Sequence, residues 1–372
     1  KEIDVLDEIH SLKSRIFDFE SDLLFEFKLF QIENNQSVLF FMPHHIIWDG
    51  QSFDIYFKEL NEIYSSLLKN KSPKLELIEM TYQEYVVNQK KYLTSKQADS
   101  DIDYWKNIFS TIPEPTNFPH ALSRPTEMQN VGIRLDFQVK LEISNKIKNI
   151  ACSNNMTVFS FVFGAYNLFL SDFLKRSDII IGVPVTGRPD YRLDHTMGYF
   201  VNSLPIYSKI DKNINKISNI KNIFNNFIDA FDNQRLPFDA IIRNLNIARD
   251  QSRTPLYQTF FTFKETKDDV YNFCGNKTEY YKIDRSATHT DLDISVISNY
   301  KGLNGYFDYR EDLFDSKDMD NFKSDWLSFL DNLVLEFDPL DGTKLSDSFE
   351  EKLKVIWSDI LGYSEIDLTS DF

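Results

Sequence analysis

Cysteine is nearly absent from this sequence of 372 residues: only Cys152 and Cys274 occur, far apart and outside any metal-ligand spacing. That argues against a disulfide scaffold or a thiolate metal centre and suits two free thiols in a reducing, cytoplasmic setting. Basic charge is also short. Lys and Arg total 41 against 57 Asp and Glu, a net charge of −16, which argues against nucleic acid as a partner, because non-specific affinity for phosphate backbones rests on basic patches. No apolar run approaches the roughly 18 residues of a membrane span, and no signal peptide opens the chain. Hydrophobic residues nonetheless make up 42%, enough for one large domain or two modest ones with real cores.

Residues 24–31 and 37–43 are apolar-rich runs on either side of a turn cluster and predict a β-hairpin. A helix is predicted over 52–69, where Phe53, Tyr56, Phe57, Leu60 and Ile63 recur at helical spacing. A Pro-containing segment at 112–125 separates this from a second unit. There, a strand over 132–139 alternates, with Ile133, Leu135, Phe137 and Val139 on one face. Helices follow at 142–152 and 157–175, the second N-capped by Thr157 and almost free of charge before Asp172, hence buried on most sides. Then come a strand at 178–187, helices near 215–234 and 237–247, strands near 256–264, 278–284, 291–299 and 303–309, and a last helix at 317–335. Without regular alternation of strand and helix, the expected class is α+β in two lobes. Both ends interrupt a pattern, so the chain reads as a fragment whose first lobe lacks its beginning.

The sharpest motif is His44-His45-Ile46-Ile47-Trp48-Asp49-Gly50, an HHxxxDG sequence. Read as the end of the second hairpin strand, it sends adjacent side chains to opposite faces, so only one imidazole faces a given channel. An imidazole titrating near neutrality can accept a proton from an attacking amine or hydroxyl and return it to a leaving thiolate. Asp49 stands where the strand ends, able to pair with a cation and fix the loop. Gly50, with no Cβ, lets a thin substrate approach the backbone. A His-His pair on a strand is more often structural than catalytic, and no third ligand at recognisable spacing supports a metal. His10, His120, His195 and His289 stand alone.

The company this motif keeps changes the balance. Gln51-Ser52-Phe53 follows it directly, then Thr81-Tyr82-Gln83-Glu84-Tyr85 with Tyr104-Trp105, and Gly182 to Arg188 with Met197 to Pro205. Asn233 to Asp239 and Arg249 to Leu256 complete the series. In this order, over about residues 15–335, the sequence resembles condensation domains of nonribosomal peptide synthetases. The resemblance implies a two-lobed α+β fold like chloramphenicol acetyltransferase, with a tunnel between lobes and the motif midway. It implies a peptide-bond-forming acyltransferase acting between an upstream donor and a downstream acceptor peptidyl carrier domain. Each carrier brings its own covalent phosphopantetheine, and this chain binds no cofactor or metal. His45 would orient the acceptor amine, as base or as positioning group, beside His44. Asp49 would be structural, with Arg188 as ion partner, and Gly50 would flank the substrate. Trp48, Ser52, Tyr199 and Asn202 are the tunnel-lining candidates, while Tyr82, Tyr85 and Trp105 read as lobe-joining core. Arg249, Asp250 and Arg253 read as an internal salt-bridge set.

The expected layout is a first lobe over 1–125, a second over 126–336, a linker over 337–347 and the start of a peptidyl carrier domain over 348–372. In that tail, Ser348 to Glu351 forms a capping box before an apolar face of Leu353, Ile356, Trp357, Ile360 and Leu361. A carrier directly after a condensation domain suggests an adenylation domain acting in trans, or a non-standard module. The whole reads as a monomeric module of a larger synthetase, with neither nucleic acid nor membrane as partner. An epimerisation domain of the same superfamily, or a catalytically silent carrier-docking domain, are the alternatives. The upstream family motifs have no counterpart in the chain, and Thr254 stands where the family usually has Asn.

Overall fold

The computed structural model describes residues 2–32, 36–119, 121–129, 131–266, 273, 275–276, 278–279, 288 and 290–337. The carrier-like tail, nearly all of the linker, His120, Cys274, His289 and most of the strand expected over 278–284 lie outside the described residues.

The chain opens with α1 (Glu2–Leu12), then β1 (Phe25–Ile32) and β2 (Gln36–Pro43). These strands pair antiparallel from Phe25↔Pro43 to Ile32↔Gln36, the expected hairpin. Its two faces are divided by side-chain alternation. Val38 and Phe40 pack with Ile9 of α1, while Phe41 stacks on Tyr56 at 4.6 Å. Tyr56 belongs to α2 (Gly50–Leu68), which is N-capped by Asp49. Next come α3 (Tyr82–Tyr92) and α4 (Lys96–Ile108), two helices where the sequence showed only a motif. A reciprocal capping box between Thr81 and Glu84 starts α3.

The larger part is built on a six-stranded mixed sheet. In chain order it comprises β3 (Gly132–Gln138), α5 (Leu141–Ser153), α6 (Val158–Leu174), β4 (Asp178–Val185), β5 (Asn202–Lys209), α7 (Lys216–Asp232) and α8 (Phe238–Asn244). It ends with β6 (Thr259–Glu265), β7 (Leu292–Asn299), β8 (Gly302–Arg310) and α9 (Ser316–Phe337). Spatial order is β3-β8-β7-β6-β4-β5. The β6–β7 and β4–β6 pairs are parallel and the others antiparallel. β5 is a strand where the sequence shows only a motif. Pro205 speaks against a central strand, but β5 is an edge of this sheet, where a missing N–H is tolerated.

The core sits where α6 and α9 cover the sheet. Thr157 caps α6 as expected, its hydroxyl accepting from the Ser160 amide at 3.1 Å. With Phe161 to Ser171 all buried, α6 is apolar nearly all round, as a helix surrounded by protein must be. Its rings meet Phe261, Phe322 and Trp326. Trp105 of α4 is buried in this same core with Tyr92, Ala98 and Phe109. Tyr82 and Tyr85 instead pack around Phe200 with Met80 and Leu193.

Among the described residues no single helix is long and apolar enough to cross a membrane. The bent pair α5 and α6 passes on length and composition together, yet α6 is consumed by the core.

Candidate active site

β2 ends at Pro43, one residue before the histidines. The motif therefore leaves the strand earlier than the sequence reading placed it. His44 is extended, and His45–Ile47 form one turn of 3₁₀ helix. The two imidazoles diverge because a turn intervenes, not because a strand alternates. The His44 ring stands edge-on to Phe19 at 4.9 Å and Phe17 at 6.0 Å. The His45 ring lies at the exposed surface of the turn, edge-on to Tyr199 at 5.3 Å.

His45 Nδ1 lies 2.6 Å from the Trp48 carbonyl oxygen. A carbonyl only accepts, so Nδ1 carries the proton and donates, leaving the Nε2 lone pair open to solvent. That is the arrangement a proton acceptor requires. Trp48 is itself wedged among Phe41, Phe53 and Tyr56 at 5.2–6.0 Å, so the carbonyl that orients His45 is anchored. Trp48 thus contributes its backbone to the histidine and its ring to packing. A Cβ on Gly50 would meet nothing within 4 Å, so the flank beside the turn is open.

Asp49 and Arg188 form the ion pair beneath the turn, both side chains 2% exposed. Arg188 Nη1 donates to Oδ2 at 2.8 Å and Nη2 to Oδ1 at 3.2 Å, a two-pronged match. The carboxylate also accepts from the Ser52 amide at 2.9 Å, the Ser52 hydroxyl at 2.7 Å and the Phe200 amide at 3.2 Å. Arg188 further donates to the Thr196 carbonyl at 3.1 Å and lies 4.1 Å over the Phe200 ring. The Arg188 and Phe200 bonds to Asp49 thus tie the histidine turn to residues 188–200.

Ser52 is wholly buried rather than lining a tunnel. Its hydroxyl accepts from the Gly198 amide at 3.0 Å, linking α2 to that same segment. Asn202 is also committed to structure. Its Nδ2 donates to the Gln234 and Leu236 carbonyls at 2.8 and 2.9 Å, and its Oδ1 accepts from the Ser203 and Phe238 amides. Tyr199 is the tunnel candidate that stays open. Burial pushes its hydroxyl above the ordinary tyrosine value, with the Asp49 charge adding to the effect, so it remains a neutral donor. The Tyr82 hydroxyl donates to the Tyr199 carbonyl at 2.9 Å, an anchor the sequence did not reveal.

A cavity of about 350 Å³ runs beside this network, lined by Tyr82, Tyr85, Gln89, Tyr199, Phe200 and Asn202 among others. A larger one of about 460 Å³ lies beyond Arg235, toward Tyr92 and Arg192. His45 walls neither; its ring meets that of Tyr199, which lines the smaller one.

Gly187 carries the chain into Arg188 with φ +64°, and a Cβ there would fall 1.7 Å from the Phe200 carbonyl oxygen. Gly187→Ala is expected to destabilise by at least about 1–3 kcal/mol from conformation alone. A lowered guanidinium midpoint checks it; an unchanged one would show that residues 187 and 200 separate freely.

The Arg249–Leu256 segment lies partly over a charge cluster that sequence reading missed. Arg253 pairs with Asp250 at 3.0 Å, while Arg249 is exposed. Below, buried Arg310 meets Asp312 at 2.6 Å and Asp291 at 3.4 Å, and Arg124 also pairs with Asp291. Both Arg124 and Arg310 donate to the Ser252 carbonyl, at 3.1 and 2.9 Å. Nothing in one sequence joins positions 124, 252, 291 and 310.

The sequence model of the Condensation domain matches residues 2–353. The chain belongs to the condensation domain family. Gramicidin S synthase 2 of Brevibacillus brevis is 28% identical over 346 residues, covering 91% of this condensation domain chain and 8% of that synthase. Bacitracin synthase 3 of Bacillus licheniformis is 26% identical over 321 residues, with coverages of 86% and 5%. The chain therefore spans only a small fraction of these relatives.

Among solved structures, the X-domain in complex with OxyB from teicoplanin biosynthesis superposes with a TM-score of 0.79 at 18% identity, covering 91% of this chain and 77% of that one. The first condensation domain of the calcium-dependent antibiotic synthetase gives 0.74 at 18%, covering 91% and 73%. The epimerization domain from the third module of tyrocidine synthetase B also gives 0.74 at 18%, covering 91% and 77%. At such identities the likeness establishes the fold, and it is the α+β, chloramphenicol acetyltransferase-like condensation fold expected from the sequence.

Proposed function

We propose that this condensation domain forms amide bonds between a donor acyl-thioester and an acceptor aminoacyl-thioester, each carried on the phosphopantetheine of a partner carrier domain. The observation that carries the reading is the His45 turn, in which the Trp48 carbonyl holds Nδ1 and leaves Nε2 open beside Tyr199. The acceptor nitrogen attacks the thioester carbonyl; a C–N bond forms and the C–S bond breaks. Nε2 accepts a hydrogen bond from the attacking amine and takes the proton that the new amide sheds, which then passes to the leaving thiolate. Positioning two tethered reactants contributes more than proton transfer in this account. Asp49 and Arg188 hold the turn and touch no reacting atom.

The same proposal includes two lobes meeting near residue 125, a carrier domain beginning near residue 348, and an amino acid loaded in trans, in a cytoplasmic setting. The epimerization-domain likeness at a TM-score of 0.74 and the X-domain likeness at 0.79 favour two other outcomes, proton transfer at an α-carbon and partner docking without chemistry. One experiment separates the three. The chain, extended upstream to a full first lobe, is given loaded donor and acceptor carriers in deuterium oxide, and the carriers are followed by intact mass. Dipeptidyl-carrier supports amide formation. Deuterium entering the α-position without dipeptide supports epimerisation, and carrier binding with no mass change supports docking; either overturns the proposal.

A further inference from the structure

The two adjacent imidazoles are wired in opposite senses. His44 N-caps the 3₁₀ turn, and its Nδ1 accepts from the Ile46 amide at 3.1 Å. A ring nitrogen that accepts carries no proton, so the neutral His44 ring has its hydrogen on Nε2. His45, one residue on, has its hydrogen on Nδ1, given to the Trp48 carbonyl at 2.6 Å. Asp49 and Arg188 anchor the turn from beneath, but its own hydrogen bonds are few. Its backbone bonds run from Ile47 N–H to the His44 carbonyl at 3.1 Å and from Trp48 N–H to the His45 carbonyl at 3.3 Å. Short 3₁₀ segments have poor bond geometry, so one side-chain cap is a large share of what closes them.

We infer that His44 is a positioning residue: by capping the Ile46 amide it closes the turn, which brings the Trp48 carbonyl to His45 Nδ1 and fixes the His45 tautomer. The neighbouring Phe17 and Phe19 rings hold the His44 ring edge-on for that task. The inference rests on the reading of His45 as the imidazole that meets substrate. Its content is narrower: His44 acts through a single acceptor atom at the Nδ1 position, and its Nε2 takes no part.

Amide isosteres test that directly. Asn at position 44 places its carboxamide oxygen near where Nδ1 accepts, Gln places its carboxamide near Nε2, and Ala supplies neither. In protein labelled with ¹⁵N-histidine, long-range ¹H–¹⁵N spectra report each ring's tautomer without any substrate. Wild type is expected to show His44 protonated at Nε2 and His45 at Nδ1. His44→Asn should keep the His45 pattern, while His44→Gln and His44→Ala should shift it toward averaged tautomers. Dipeptide formation should follow the same order, falling on the order of tenfold for Ala and Gln and recovering with Asn. The Asn–Gln comparison stands if the Ala variant fails to fold. A His45 pattern unchanged in His44→Gln overturns the inference, whatever the activity. The tautomer pattern without dipeptide in any variant would overturn the amide-forming reading and leave the positioning role intact.

Discussion

Arg188→Ala is expected to destabilise the domain by about 3–5 kcal/mol, since removing one member of a buried ion pair strands the other. Asp49 would keep the Ser52 and Phe200 amides and the Ser52 hydroxyl, but no countercharge. The Phe200 ring would lose the guanidinium stacked 4.1 Å above it, and the Thr196 carbonyl would lose its donor. Asp49→Asn should be comparably damaging, because it leaves the Arg188 charge buried instead. Replacing both by apolar residues of similar volume should cost less than the sum, since no stranded charge remains. Guanidinium unfolding of the two single variants and the double variant measures this. Additive losses would mean that the pair is solvated and that the turn is held by other contacts.

His45→Ala is expected to lower amide formation by on the order of 10²–10⁴-fold while leaving the unfolding midpoint almost unchanged. The ring is exposed, so its removal opens no core cavity. Its bond to the Trp48 carbonyl is local, and Trp48 stays wedged among Phe41, Phe53 and Tyr56. His45→Gln separates two contributions. A Gln carboxamide oxygen can accept a hydrogen bond from the amine without taking its proton. Because positioning is the larger part of this account, Gln should recover a substantial share of the rate in single-turnover measurements. Recovery indistinguishable from Ala would assign the effect to proton transfer instead. The contrast between Arg188 and His45 is the core of the site's logic: one variant falls in stability, the other in chemistry.

Much of the fold was legible because period and burial coincide. The hairpin, α2, α5, α6 and α9 are all placed by the sequence, α2 from its spacing and the hairpin from apolar runs about a turn cluster, and the Thr157 cap is visible as a residue before an apolar run. β5 was obscured by Pro205, since the sequence does not say which strand will lie at an edge. α3 and α4 are obscured because their residues resemble a family motif more plainly than a helix, though Thr81 and Glu84 spell a capping box. At the site, the HHxxxDG spacing marked the turn, but not its form. Pro43 ends the strand, and local capping by His44 then decides the backbone. The pairing of Asp49 with Arg188 bridges 139 positions and came from family resemblance, not from local physics. The family resemblance implies a tunnel wall for Ser52 and Asn202; Ser52 is buried, while Asn202 borders the smaller cavity with its amide spent on structure. In the folded chain, unpaired backbone groups of residues 198, 234 and 236 claim them first. The Arg124–Asp291–Arg310 cluster had no signal at all, since each residue is unremarkable in its own strand or loop.

The most direct measurement is dipeptidyl-carrier formation by the domain bearing a full first lobe, with wild type and His45→Ala assayed in parallel by intact mass. The account predicts a mass shift equal to the donor acyl group on the acceptor carrier for wild type, reduced at least about a hundredfold in the variant. Equal dipeptide from both proteins would contradict it, because the open Nε2 would then play no part in the chemistry.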